Sequence, residues 1–201
     1  MQDAFLRRQK DRLMTPLAGA AFAAIHPNLI SVVALVIGLG SALAIMGQWI
    51  GVGLLLWAIN RMMDGLDGVV ARIHQKQSDF GGYLDLFLDF IIYLAVPIAF
   101  VAAIPTTANL WACLFLIASY VLNTISWTTL AALLEKRQRH TVNRLTSMEM
   151  PTGLIEGAET IILYSLFCLL PGYTAYLFGL MALLVFVTAG QRLWWAWHHL
   201  D

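Results

Sequence analysis

The sequence predicts an all-α integral membrane protein: six transmembrane helices preceded by a juxtamembrane amphipathic helix, with both termini cytosolic. Three observations predict it. Of 201 residues, 60% are hydrophobic and 12% charged, against about 45–50% and about 25% in soluble domains; the mean hydropathy of +0.74 agrees. Charge is absent from 13–60, 90–134 and 160–191, and a span takes about 20 apolar residues. All 12 Lys and Arg residues fall on one side of the layout these gaps impose, the side that faces the cytosol by the positive-inside rule.

The N-terminal segment, 3–24, mixes Arg7, Arg8, Lys10 and Arg12 with Phe5, Leu6, Leu13, Met14 and Leu17. It is expected to lie on the cytosolic leaflet among anionic headgroups, and it does not read as a cleavable signal peptide. Gly47-Gln48-Trp49-Ile50-Gly51 breaks the first gap into spans at 29–47 and 51–70. Ile104-Pro105-Thr106-Thr107-Ala108-Asn109 breaks the second into 83–103 and 110–134. Pro171-Gly172-Tyr173 separates 153–170 from 173–196. Arg61, Arg72 and Lys76 then fall around the second-to-third connection, Lys136, Arg137, Arg139 and Arg144 in the fourth-to-fifth, and Arg192 near the end of the sixth span. The whole chain, 1–201, reads as one membrane domain. Cys113 and Cys168, inside apolar runs, read as core residues, and the net charge of zero gives no reason to expect a nucleic-acid partner.

The acidic residues carry the chemistry. Asp64-Gly-Leu-Asp67-Gly68-Val-Val-Ala71-Arg72 is followed, after eight residues, by Gly81-Gly-Tyr-Leu-Asp85-Leu-Phe-Leu-Asp89. Asp64 and Asp67 share a helix face at the end of span two; Asp85 and Asp89 share one at the start of span three. The connection folds the two pairs toward each other. Four carboxylates in a small volume repel, and two of them sit at a helix C-terminus that disfavours anions. A hard divalent cation resolves both conflicts, and an all-oxygen set without His or Cys favours Mg²⁺, Mn²⁺ or Ca²⁺ over zinc. Four carboxylates fit two ions holding a diphosphate better than one. Gly68 and Gly81 leave room for a phosphate to approach the backbone, and Arg72 can contact phosphate or balance the carboxylates.

The pattern D-x-x-D-G-x-x-A-R-x8-G-x-x-x-D-x-x-x-D over 64–89 resembles the signature of the CDP-alcohol phosphatidyltransferases, with every fixed position present. His26-Pro27-Asn28-Leu29 is similar to the Pro-Asn element these enzymes carry before their first span. The resemblance implies a CDP-linked lipid donor, expected to be CDP-diacylglycerol, whose β-phosphorus is attacked by an acceptor alcohol with release of CMP. It implies Asp64, Asp67, Asp85 and Asp89 as ligands of Mg²⁺ or Mn²⁺, with Asp89 also the catalytic base. It implies Pro27, Asn28, Gly68, Ala71, Arg72 and Gly81 around the nucleotide and phosphates, and a homodimer in the bacterial inner membrane. Many members place Lys or Arg after the last Asp; Phe90 stands there in this chain, which is similar to the phosphatidylserine synthase branch and leaves the acceptor open.

Glu156 and Glu159, three apart at the start of span five, and Arg192 in span six are candidate acceptor-site residues, since ionisable groups in spans are functional suspects. Gly153-x-x-x-Gly157 has the spacing of a helix-packing motif but is common without that role. Trp194, Trp195, Trp197, His198 and His199 read as an interfacial belt, with no metal site at the histidines. Intramembrane prenyltransferases carry their Asp motifs in separate halves of longer chains, whereas here all four lie in one hairpin. A cation transporter places its site near the bilayer midplane, and the outer half of this chain has no charge to continue a pathway. A catalytically altered family member is the remaining alternative.

Overall fold

The computed structural model describes residues 25–140 and 153–200. The expected surface helix over 3–24, its basic residues and Arg144 lie outside them. The described residues are helical: α1 (Pro27–Met46), α2 (Ile50–Ile73), α3 (Asp79–Ala103), α4 (Thr107–His140), α5 (Gly157–Leu169), a 3₁₀ turn (Pro171–Tyr173) and α6 (Thr174–His199). Each expected span overlaps one of these helices. Four stretches, α1, α3, α4 and the 3₁₀ turn with α6, are long and apolar enough to cross a bilayer. Helix α2 has the length but carries Arg61, Asp64, Asp67 and Arg72. Helix α5 has 13 residues, about 20 Å at 1.5 Å per residue, short of a hydrocarbon core of about 30 Å.

The chain divides into two compact units, Met1–Ile104 and Pro105–Asp201. In the first, α1 packs against both α2 and α3. Small residues permit the approach: a Cβ on Gly53 would stand 2.6 Å from Ile45 Cγ1, and one on Gly38 would stand 2.6 Å from Ile92 Cδ1. Polar side chains fasten the helices where water is absent. Asn60 Nδ2 donates to Ala34 O at 2.7 Å and Ser41 Oγ to Gly53 O at 2.7 Å.

The turns are built by caps rather than by the glycines. Helix α1 ends in a Schellman turn, Gln48 N donating to Ile45 O and Trp49 N to Ala44 O. The left-handed residue is Gln48, at φ 64°, not Gly47 or Gly51. Its side chain explains the choice, since Gln48 Nε2 donates to Ala103 O at 3.1 Å and so caps the end of α3. Helix α2 ends the same way, with Gln75 at φ 52° and Lys76 N donating to Ala71 O. Ser78 then caps α3, its Oγ accepting from Gly81 N at 3.0 Å, and Asp79 in the first turn suits the helix dipole. Helix α3 therefore begins four residues before the expected span.

In the second unit α4 packs along α6. Helix α4 has 34 residues, nine more than the expected span. The Tyr120 and Tyr164 hydroxyls meet at 2.8 Å beside Met181, and the Phe167 and Phe178 rings pack edge to face at 4.8 Å. Gly153 precedes α5 beside Thr188, and a Cβ on Gly157 would meet nothing within 4 Å among the described residues, so within them the Gly153/Gly157 pair does not act as one helix-packing face.

Candidate active site

Helices α2 and α3 bring the acidic residues together as their spacing requires. One carboxylate oxygen from each of Asp64, Asp67 and Asp85 lies within 4.8 Å of the others. Opposite ligands on one Mg²⁺ stand about 4.2 Å apart, twice a 2.1 Å bond. A small side-chain rotation closes that difference, and the all-oxygen donors suit a hard divalent ion. Asp67 is almost fully buried, at 4% exposure. Ser31 on α1 donates Oγ–H to Asp67 Oδ2 at 2.5 Å, which fixes the carboxylate from the opposite wall.

Asp89 is not one of that trio. It lines a small cleft with Asp64, Asp85 and Asn60, and its Oδ1 accepts from Arg61 Nη2 at 2.8 Å. The sequence reading counted Arg61 only among the basic residues around the second-to-third connection, and its part in the site was missed. Helix α2 runs on to Ile73 and buries Arg61 at 9% exposure. It sits one turn before Asp64, at 3.8 Å from Asp64 Oδ2. The signal in the sequence was its spacing, four residues after Trp57 and three before Asp64.

Below the trio lies a pocket of about 170 Å³. All six residues expected around the nucleotide line it: Pro27, Asn28, Gly68, Ala71, Arg72 and Gly81, together with Asp67 and Asp85. The start of α1 forms one wall, where His26 Nδ1 accepts from Asn28 N and Pro27 occupies the first turn. The two glycines act differently. At Gly81 a Cβ would stand 3.1 Å from Ser78 Oγ and 3.2 Å from Asn28 Oδ1, whereas at Gly68 it would meet Arg72 Nη1 at an ordinary 3.4 Å. The sequence reading missed Ser31, Lys76, Gln77 and Ser78, which also line the pocket. Lys76 Nζ donates to Ile25 O at 3.2 Å, tying the α2–α3 connection to the foot of α1. Ser31 was legible, one turn beyond Pro27 on the same face.

In the second unit Glu156 and Glu159 cap α5: Gly153 N donates to Glu156 Oε1 at 2.7 Å and Glu156 N to Glu159 Oε2 at 3.1 Å. Arg192 Nη1 donates to Asn123 Oδ1 at 2.6 Å. Its Nε is buried without a hydrogen-bond partner among the described residues.

The chain is 33% identical to the inner membrane protein YnjF of Escherichia coli (strain K12) over 171 residues, 85% of this chain and 82% of that protein. A shorter match, 34% identical over 98 residues, is to the bifunctional IPC transferase and DIPP synthase of Archaeoglobus fulgidus; it covers 48% of this chain and 20% of that protein. The fold resembles the crystal structure of Mycobacterium tuberculosis phosphatidylinositol phosphate synthase (PgsA1), solved with CDP-DAG bound, at TM-score 0.71 and 20% identity over 92% of this chain and 94% of that chain. The family model for CDP-alcohol phosphatidyltransferase matches residues 24–197, and on that match the chain belongs to the CDP-alcohol phosphatidyltransferase family.

Proposed function

We propose that the protein transfers a phosphatidyl group from CDP-diacylglycerol to an alcohol, releasing CMP, at a metal site on the cytosolic side of the bacterial inner membrane. The observation that carries this is the convergence of Asp64, Asp67 and Asp85, two of which, Asp67 and Asp85, line the pocket that also collects all six nucleotide-signature residues. At about 170 Å³ the pocket is smaller than the roughly 300–1,000 Å³ that encloses a whole drug-sized ligand. It suits a nucleotide head whose lipid tails stay in the bilayer.

In this reading Asp64, Asp67 and Asp85, with Asp89 at the edge of the cluster, hold Mg²⁺ or Mn²⁺, two ions in all. Bound there, the ions neutralise the diphosphate and the CMP leaving group. Arg72 and Lys76 contact phosphate oxygens, and Asn28, Ala71 and Gly81 bound the nucleotide. Asp89 takes the proton of the acceptor hydroxyl as its oxygen bonds to the β-phosphorus and the bond to CMP breaks. Arg192, with a buried N–H left to donate, is the better of the acceptor-site candidates. Glu156 and Glu159 support it by shaping the start of α5.

The same reading makes all six helices spans of one membrane domain, with both termini cytosolic and two chains forming a homodimer. Like the chain's zero net charge, it gives nucleic acid no role. Its test is CMP release by the purified protein in lipid nanodiscs with CDP-diacylglycerol, Mg²⁺ or Mn²⁺ and a panel of acceptors, with Asp67→Asn as control. Release that depends on metal, on one acceptor and on Asp67 supports the assignment; no release with any acceptor from a folded protein rejects it.

A further inference from the structure

Arg61 is a charged residue held in apolar helices by more contacts than charge balance requires. Its Nη2 donates to Asp89 Oδ1 at 2.8 Å and its Nη1 to Tyr93 Oη at 3.1 Å. Its Nε donates to Asn60 Oδ1 at 2.8 Å, and Asn60 is itself anchored to Ala34 O on α1. The guanidinium also lies over the Trp57 ring, 4.8 Å from its centroid. Tyr93 completes a triangle by donating to Asp89 Oδ2 at 3.4 Å, and Phe90 packs edge to face on Tyr93 at 6.3 Å. Each of the three guanidinium nitrogens of Arg61 thus has a different hydrogen-bonding neighbour. A cation present only to offset buried carboxylates would not need this fork; Lys would serve.

We propose that Arg61 is the positioning residue of the carboxylate site. Through Asn60, Tyr93 and Trp57 it fixes the angle at which Asp89 enters the cluster, and it withholds one unit of negative charge from the cation-binding field. Asp64, 3.8 Å from Arg61 Nη1, feels the same charge. Position and charge make opposite predictions for metal binding and for turnover, which separates this role from simple packing. The inference deepens the transferase reading and rests on it only where turnover is measured.

The test is Mn²⁺ binding, followed by the spin resonance of free Mn²⁺, and CMP release, both in nanodiscs. Arg61→Met is expected to bind Mn²⁺ more tightly, on the order of tenfold, because a competing cation is gone. Its turnover should fall about 10–100-fold, the usual cost of losing an outer-sphere partner. Arg61→Lys keeps the charge without the fork: Mn²⁺ affinity should stay within about twofold of wild type while turnover still falls. In an Asp89→Asn background Arg61→Met should cost no further turnover. Unchanged or weaker Mn²⁺ binding by folded Arg61→Met overturns the proposal, as does full turnover by Arg61→Lys. If Arg61→Met does not fold, Arg61→Lys decides. Should the wild type release no CMP, the transferase reading falls, and the Mn²⁺ measurements still decide the role of Arg61.

Discussion

Ser31 and Asp67 are joined across the α1–α2 interface by a 2.5 Å hydrogen bond. This bond holds a buried acceptor from the far wall, beside the Asp64 and Asp85 carboxylates. Ser31→Ala is expected to lower metal affinity or turnover about 10–100-fold while costing about 1.5–3 kcal/mol of stability, the scale of a hydrogen bond to a charged group. Mn²⁺ titration beside thermal unfolding in detergent checks both parts.

Chelation and Asp67→Asn should have the same effect by different routes. Either one is expected to reduce CMP release at least about 100-fold, the scale of losing a main electrostatic stabiliser of the transition state. Readdition of Mn²⁺ should restore the chelated wild type and leave Asp67→Asn inactive.

Gly81→Ala places a methyl 3.1 Å from Ser78 Oγ and 3.2 Å from Asn28 Oδ1. The strain, about 1–3 kcal/mol, falls on the α3 cap and on the pocket wall together. The expected signature is a raised KM for the donor with a smaller change in kcat; Gly68→Ala, with more room, should be milder.

The two left-handed glutamines should respond differently to glycine. Gln75→Gly relieves a conformation that costs an L-residue about 1–2 kcal/mol, less about 0.4–1 kcal/mol for the freer unfolded chain. The melting temperature should rise by a few degrees. Gln48→Gly gains the same relief but loses the bond to Ala103 O, and should be neutral or destabilising.

Glu159→Ala should cost about 1 kcal/mol as a lost cap, and Glu159→Gln, which can still accept from Glu156 N, should cost far less. A role in acceptor binding is decided separately, by whether Glu159→Gln raises the acceptor KM.

The trio of aspartates, with Gly68, Arg72 and Gly81, was legible because its chemistry is local, whereas Pro27, Asn28 and Ala71 were legible only through the family resemblance. Spacings of three and four put carboxylates on one face, and charge marked the helix ends. What the sequence hid depends on how one helix meets another. Arg61 counted as a topology marker until α3 placed Asp89 and Tyr93 beside it. Gln48 looked like a bystander between glycines because the group it caps, Ala103 O, lies 55 residues away. The Glu156–Glu159 pair was visible as a spacing, yet an i, i+3 pair of carboxylates reads equally as a ligand set or a cap until the backbone N–H partners are known.

The short helix α5 has a consequence for the lipid rather than the protein. On the reading that all six helices span, a bilayer that accommodates its 13 residues end to end must give up about 10 Å of hydrocarbon thickness beside it, or draw water and headgroups inward to fill the deficit. Hydrophobic mismatch of that size sorts a protein toward thinner membranes. It also makes acyl-chain length a variable of the protein's working state: in vesicles graded from short to long saturated chains, its stability should peak toward the short end.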